Sequence, residues 1–81
     1  MLLQTMRIKE ELIKAVNKLF DDFEEMEDIT YERVQWELDY MVYPYIGSFL
    51  ASGDISKDDA IEIFNLCESR LKELKLKLDN V

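Results

Sequence analysis

Leu12, Val16, Leu19, Phe23 and Met26 recur at intervals of four, three, four and three residues. That spacing sets them in one line along an α-helix, and Met6, Ile13 and Phe20, seven apart, widen the line on one flank. A first helix is therefore predicted over about residues 5–27. No glycine marks its end, so the stop is set only to within a turn.

Thr30 is a good helix N-cap, and Ile29 and Val34 occupy the two positions of a hydrophobic staple around it. In the helix that follows, Tyr31, Val34, Leu38, Met41 or Val42, and Tyr45 share one face. Trp36, Tyr40, Tyr43, Gly47 and Leu50 line up on nearly the opposite face. A helix that is apolar on two sides lies at the centre of its domain or between the domain and a partner. Pro44 has no N–H to give to the preceding turn, which predicts a kink or break near residues 40–43.

Gly53 suits the left-handed residue after a helix end. Ser56 and Asp59 form a capping-box pattern, with Asp in place of Glu or Gln. The third helix is predicted over about residues 57–78, with the seam Ala60, Phe64, Cys67, Leu71, Leu74 and Leu78 again alternating four and three. These elements predict an all-α fold: a single domain over residues 1–81 built as a small antiparallel three-helix bundle. Its second helix is kinked or split at Pro44, so the alternative count is four.

Composition narrows this picture. A chain of 81 residues with 48% hydrophobic positions, 2 Gly and 1 Pro has the means to fold, but its core is thin and a dimer would help it. The opening "MLLQTMRIKEEL" lacks the charged and apolar regions of a secretory signal. The longest uncharged run, residues 40–53, is too short to span a bilayer and is interrupted by Pro44 and Gly47. In "LKELKLKL" Leu71, Leu74 and Leu78 belong to the core seam, which argues against a membrane-surface stripe. Cys67 is the only cysteine, which rules out an internal disulfide and suits a reducing compartment; the expected location is cytoplasmic.

Charge changes the picture most. The stretch "DDFEEMED", residues 21–28, holds six carboxylates in eight positions: Asp21, Asp22, Glu24, Glu25, Glu27 and Asp28. The chain's formal charge is −8, and residues 21–39 hold nine acids against Arg33 alone, so this short stretch equals the total. As a helix C-terminus the block is locally costly. Like charges one turn apart cost roughly 0.2–0.5 kcal/mol a pair, and anions beside the negative end of the helix dipole cost roughly 0.3–1 kcal/mol each. Two explanations offset that cost. Helix 3 ends in Arg70, Lys72, Lys75 and Lys77, which lie beside the block if helices 1 and 3 run parallel. Alternatively, the block is an acidic face for a basic partner, mimicking the phosphates of a nucleic acid. Direct nucleic-acid binding is disfavoured by repulsion.

Catalytic chemistry finds little foothold. There is no histidine, so the commonest general base and the usual zinc sites are missing. Cys67 sits on a core seam without a base beside it. Glu24, Glu25 and Asp28 offer a weak Mg²⁺ reading, since Glu25 and Asp28 match one Glu-x-x-Asp pair of the kind seen in helical nucleotide hydrolases. Around "ASGDISKDD", Ser48, Leu50 and Ser52 stand where the first ligands of a calcium loop belong, and they are the wrong residues for it.

The expectation is therefore a non-enzymatic, cofactor-free interaction module or inhibitor. Asp21, Asp22, Glu24, Glu25, Glu27 and Asp28 face a basic protein partner, and Trp36, Tyr40 and Tyr43 form a dimer or partner interface. Phage- and plasmid-encoded nuclease inhibitors share this size and charge, an analogy and no more. The competing class is a structural or regulatory homodimer subunit whose acidic block is merely solvated.

Overall fold

The computed structural model describes the backbone of residues 2–79 and the side chains of residues 7–79, so Met6 lies outside the described side chains. Helix α1 spans Leu2–Glu25. Helix α2 covers residues 31–52 in three consecutive helical segments: Tyr31–Glu37, a π-helical turn Leu38–Val42, and Tyr43–Ser52. Helix α3 spans Lys57–Asp79. Among the described residues there is no strand, and the fold is the all-α three-helix bundle expected from the spacing.

The punctuation works as the residue types dictate. Thr30 caps α2, its Oγ1 accepting from the Arg33 N–H at 3.2 Å. Gly53, at φ 82°, closes α2 with its N–H on the Leu50 carbonyl and the Asp54 N–H on the Phe49 carbonyl, the doubled bond of a Schellman end. Ser56 and Asp59 form the reciprocal box: the Asp59 N–H donates to Ser56 Oγ at 3.0 Å, and the Ser56 N–H donates to Asp59 Oδ2 at 3.3 Å.

The disturbance expected before Pro44 is present as the π-helical turn Leu38–Val42, which divides α2 into two α-helical segments without ending it. The missing N–H of Pro44 is absorbed by the π-turn, in which the Tyr43 N–H reaches back five residues to the Leu38 carbonyl. The extra residue rotates everything after it. Had α-helical spacing continued, Tyr45 would follow Leu38 into the core; instead Ile46 is buried there and Tyr45 is exposed. Met41 is likewise exposed, while Val42 packs against the core.

The core is built from Leu12, Val16, Phe20 and Phe23 of α1, Val34, Leu38 and Ile46 of α2, and Ala60, Ile63, Cys67, Leu71 and Leu74 of α3, with Ile55 folded in from the α2–α3 link. Burying each large side chain among them contributes about 1.5–3 kcal/mol. Phe20, assigned to the flank of α1, is fully buried and meets Phe23 edge-on at 5.7 Å. Ile63 is fully buried too, whereas Phe64 is only partly so. Met26 leaves the seam because α1 stops at Glu25, and it is exposed.

Ion pairs between α1 and α3 show the helix directions. Lys9 meets Asp59 and Glu62 near the starts of α1 and α3, and Arg70 meets Asp21 and Glu24 towards their ends. Helices α1 and α3 therefore run parallel, with α2 antiparallel between them in the chain order. Packing is carried by α1 on α3 and by α2 on α3, and α1 touches α2 only sparsely. The molecule is elongated, 46 × 20 × 17 Å, and an open furrow remains between α1 and α2. No helix among the described residues is long and apolar enough to cross a membrane.

Candidate functional site

The acidic stretch divides at the end of α1. Asp21, Asp22, Glu24 and Glu25 lie on the last turns of the helix, and Glu27 and Asp28 lie in the turn beyond it. Asp28 is thus off the helix, so the like-charge contacts expected between it and Glu24 or Glu25 as successive helical turns are not made there. It stands two residues before the Thr30 cap, at the positive end of α2, where a carboxylate is favoured.

Within the helical part, α3 supplies the counter-charge. Arg70 Nη1 donates to Asn17 Oδ1, and Nη2 donates to Asp21 Oδ1 and to Glu24 Oε2, each at 2.8 Å. Its guanidinium carbon also lies 5.6 Å from the centre of the Phe20 ring. The Arg70 side chain is only 15% exposed and that of Glu24 20%, so this pair is shielded from water in a way surface pairs are not. Lys77 adds a second bond to Glu24. Lys72 and Lys75, two further cations of the same end, turn elsewhere: they line a different cleft, and Lys75 sits 5.3 Å from the Tyr31 ring centre.

Asp22 has only Lys18, at 3.8 Å on an exposed surface. Glu25, Glu27 and Asp28 are exposed and make no ion pair among the described residues. The six carboxylates are therefore two populations. Asp21 and Glu24 belong to the α1–α3 contact, and Glu25, Glu27 and Asp28 face solvent at the α1–α2 corner.

The aromatic face divides as well. Trp36 and Tyr40 are 49% and 66% exposed and lie against each other, ring centres 5.4 Å apart. Arg33 sits over Trp36 at 5.8 Å and is paired with Glu37 at 3.2 Å. Tyr43 turns inward instead, edge-on to Phe64 of α3 at 5.4 Å. Burial pushes its hydroxyl above the ordinary tyrosine range, with the charge of Glu68 adding to the shift. The π-turn contributes to the split, because Tyr40 lies within it and Tyr43 directly after it, so the wider turn rotates Tyr43 further from Tyr40. Between Lys18 and Lys57 the only cation is Arg33, so Trp36 and Tyr40 share their side of α2 with the exposed carboxylates of Glu32 and Asp39.

Other chemistry is sparse. Among the described residues no group of three or more His, Cys, Asp or Glu side chains converges to hold a metal ion. Asp59, at the closing position of the calcium-like loop, is bound to Ser56, and Asp54 accepts from Ser52 at 2.7 Å. Cys67 is fully buried, and burial pushes its thiol from 9.0 up to about 11, far from a reactive thiolate. A cleft of about 470 Å³ between α2 and α3, lined by Tyr31, Gln35, Tyr43, Glu68, Lys72 and Lys75, was not foreshadowed by any motif.

No family model matches the chain, and neither a curated protein nor a solved structure matches it.

Proposed function

We propose that this chain is a small protein-interaction module whose partner presents a basic surface, and that it acts by occupying that surface. The observation that supports this best is the exposed Trp36–Tyr40 pair on a side of α2 bearing Glu32 and Asp39, together with the exposed carboxylates of Glu25, Glu27 and Asp28 at the α1–α2 corner. Aromatic rings with carboxylates around them suit lysine and arginine side chains: the rings stack on the cation and the carboxylates pair with it. Arg33 over Trp36 is an intramolecular instance of that contact. A nuclease or another nucleic-acid-binding protein has such a surface, and blocking it makes the chain an inhibitor.

The competing reading is a structural or regulatory subunit with a solvated acidic corner. The pairing of Asp21 and Glu24 with Arg70 favours it for those two residues, since they serve the fold.

The two readings separate by affinity capture from host extract at low and high salt. The unaltered chain is compared with Trp36→Ala/Tyr40→Ala and with Glu25→Gln/Glu27→Gln/Asp28→Asn. On the proposal, both variants stay helical and lose the captured basic protein. The acid variant loses it through slower association that salt mimics. If both variants capture the same proteins as the unaltered chain, the proposal fails.

A further inference from the structure

Along α1, Arg7, Glu11, Ala15, Lys18 and Asp22 follow at intervals of four, four, three and four, so they form one stripe on the helix. All five are exposed. The order of charges, plus, minus, neutral, plus, minus, is its own complement when read against an antiparallel copy. With a two-fold axis passing between Lys14 and Ala15, Arg7 faces Asp22 of the second copy, and Glu11 faces Lys18 of the second copy. Symmetry makes each pair twice.

This stripe borders the furrow between α1 and α2. Two apolar hollows of about 90 and 330 Å³ lie in it and share Leu12, Ala15 and Tyr45. Tyr45 is more than half exposed and stacks edge-on against Phe49 at 5.1 Å, and both rings stand in the furrow because the π-turn put Ile46, not Tyr45, into the core. Ala15 at the centre has no bulk to hold two helices apart.

We propose that the α1–α2 furrow is a homodimer interface, in which α1 crosses α1 of a second copy antiparallel at Ala15 and the two furrows are closed. The occupant is a second copy because the charge pattern of the rim matches itself. A basic helix would meet Arg7 and Lys18 as repulsion, and an acidic one would meet Glu11 and Asp22. This surface is distinct from the Trp36–Tyr40 side of α2, so the dimer leaves that side free, and the proposal stands or falls independently of the basic partner.

Sedimentation velocity on the full chain across a concentration series tests it, with helicity followed by circular dichroism. The unaltered chain is expected to show twice its 9.7 kDa mass at roughly tens of micromolar. Ala15→Lys, at an exposed position that tolerates the change, adds a bulky cation from each copy to the Lys14 pair already beside the axis and gives a monomer of full helicity. Glu11→Lys alone and Lys18→Glu alone each weaken the dimer about tenfold, by turning two rim attractions into repulsions. The double swap Glu11→Lys/Lys18→Glu restores it, which a merely structural effect of either residue would not do. A monomeric unaltered chain at hundreds of micromolar overturns the proposal. So does a dimer indifferent to Ala15→Lys, or one that the double swap fails to restore. Loss of the dimer in Trp36→Ala/Tyr40→Ala with retention in Ala15→Lys places it on the other face and also overturns the proposal.

Discussion

Arg70 of α3 holds Glu24 of α1 at 2.8 Å, Nη2 to Oε2, with both side chains largely withdrawn from water. The same nitrogen reaches Asp21, and the other terminal nitrogen reaches Asn17, so one guanidinium binds three residues spread over two turns of the neighbouring helix. Its Nε is buried without a partner, so the residue has a desolvation cost that its terminal contacts must offset. A lysine offers one ammonium where this geometry needs a planar fork.

Arg70→Ala should therefore destabilise the fold by about 1–3 kcal/mol, because it strips Glu24 of the more buried of its two cations, leaving only the exposed Lys77 in a partly dry contact. Arg70→Lys should recover only part of the loss. Urea unfolding of the three proteins at equal ionic strength measures it, and equal midpoints would show that the cluster is idle.

The split of the acidic stretch makes a prediction with two signs. Neutralising the solvent-facing group, Glu25→Gln/Glu27→Gln/Asp28→Asn, should change stability by less than about 1 kcal/mol. Relief at the end of α1 is offset by the loss of a favourable charge before α2. Neutralising the packed pair, Asp21→Asn/Glu24→Gln, should destabilise by about 1–3 kcal/mol and should weaken the salt dependence of unfolding. Thermal melts in low and high salt distinguish the two groups, and a reversed order would refute the division.

Cys67 gives the fold an alkaline limit. The folded thiol holds its proton to about pH 11, while the unfolded one releases it near its ordinary 9.0. Between those values the unfolded state binds fewer protons, so stability falls as pH rises, at about 1.4 kcal/mol per pH unit. Tyr43, also raised by burial, acts in the same direction at higher pH. Denaturant midpoints of Cys67→Ala should start lower, because a cavity is left, yet decline less between pH 8 and 10.5. Parallel declines would mean that the thiol is not responsible. Thiol reagents should label Cys67 only on unfolding.

Much of this fold was legible from periodicity. The caps at Thr30, Gly53 and Ser56 and the seam positions Leu12, Val16, Phe23, Cys67, Leu71 and Leu74 stand where spacing and residue type put them. Phe20 was placed only on the flank of its seam and Ile63 outside it, because each sits one place beside a seam residue, and only the neighbouring helices decide how wide the buried stripe is. Ile46 was illegible for another reason. Pro44 announced a disturbance, but a missing N–H is met by a kink, a break or a widened turn, and only the last shifts the register by one residue. In the acidic block, spacing identified the helix end, and parallel α1 and α3 implied that Arg70 lay close by. Which carboxylates it takes depends on side-chain reach, which spacing does not encode.

That register shift leads to the final prediction. Pro44→Ala restores an N–H and removes the reason for the π-turn in the backbone alone, so a regular α-helix becomes possible from Tyr31 to Ser52. Adopting it would rotate Tyr43–Ser52 by roughly 100° against the first part of the helix. Ile46, now 1% exposed, would leave the core, forfeiting about 1.5–3 kcal/mol, and the Tyr43–Phe64 contact would break. Filling one hydrogen bond contributes only about 0.5–1.5 kcal/mol in return. Packing should win, and Pro44→Ala should keep the π-turn and leave Tyr45 exposed. Nuclear Overhauser contacts from Ile46 to core side chains should survive the substitution. In Ile46→Ala the balance weakens, and combining it with Pro44→Ala should release the regular helix and turn Tyr45 inward, seen as loss of its solvent-exposed fluorescence quenching. If Pro44→Ala alone already turns Tyr45 inward, the backbone at Pro44 rather than the core at Ile46 sets the register of α2.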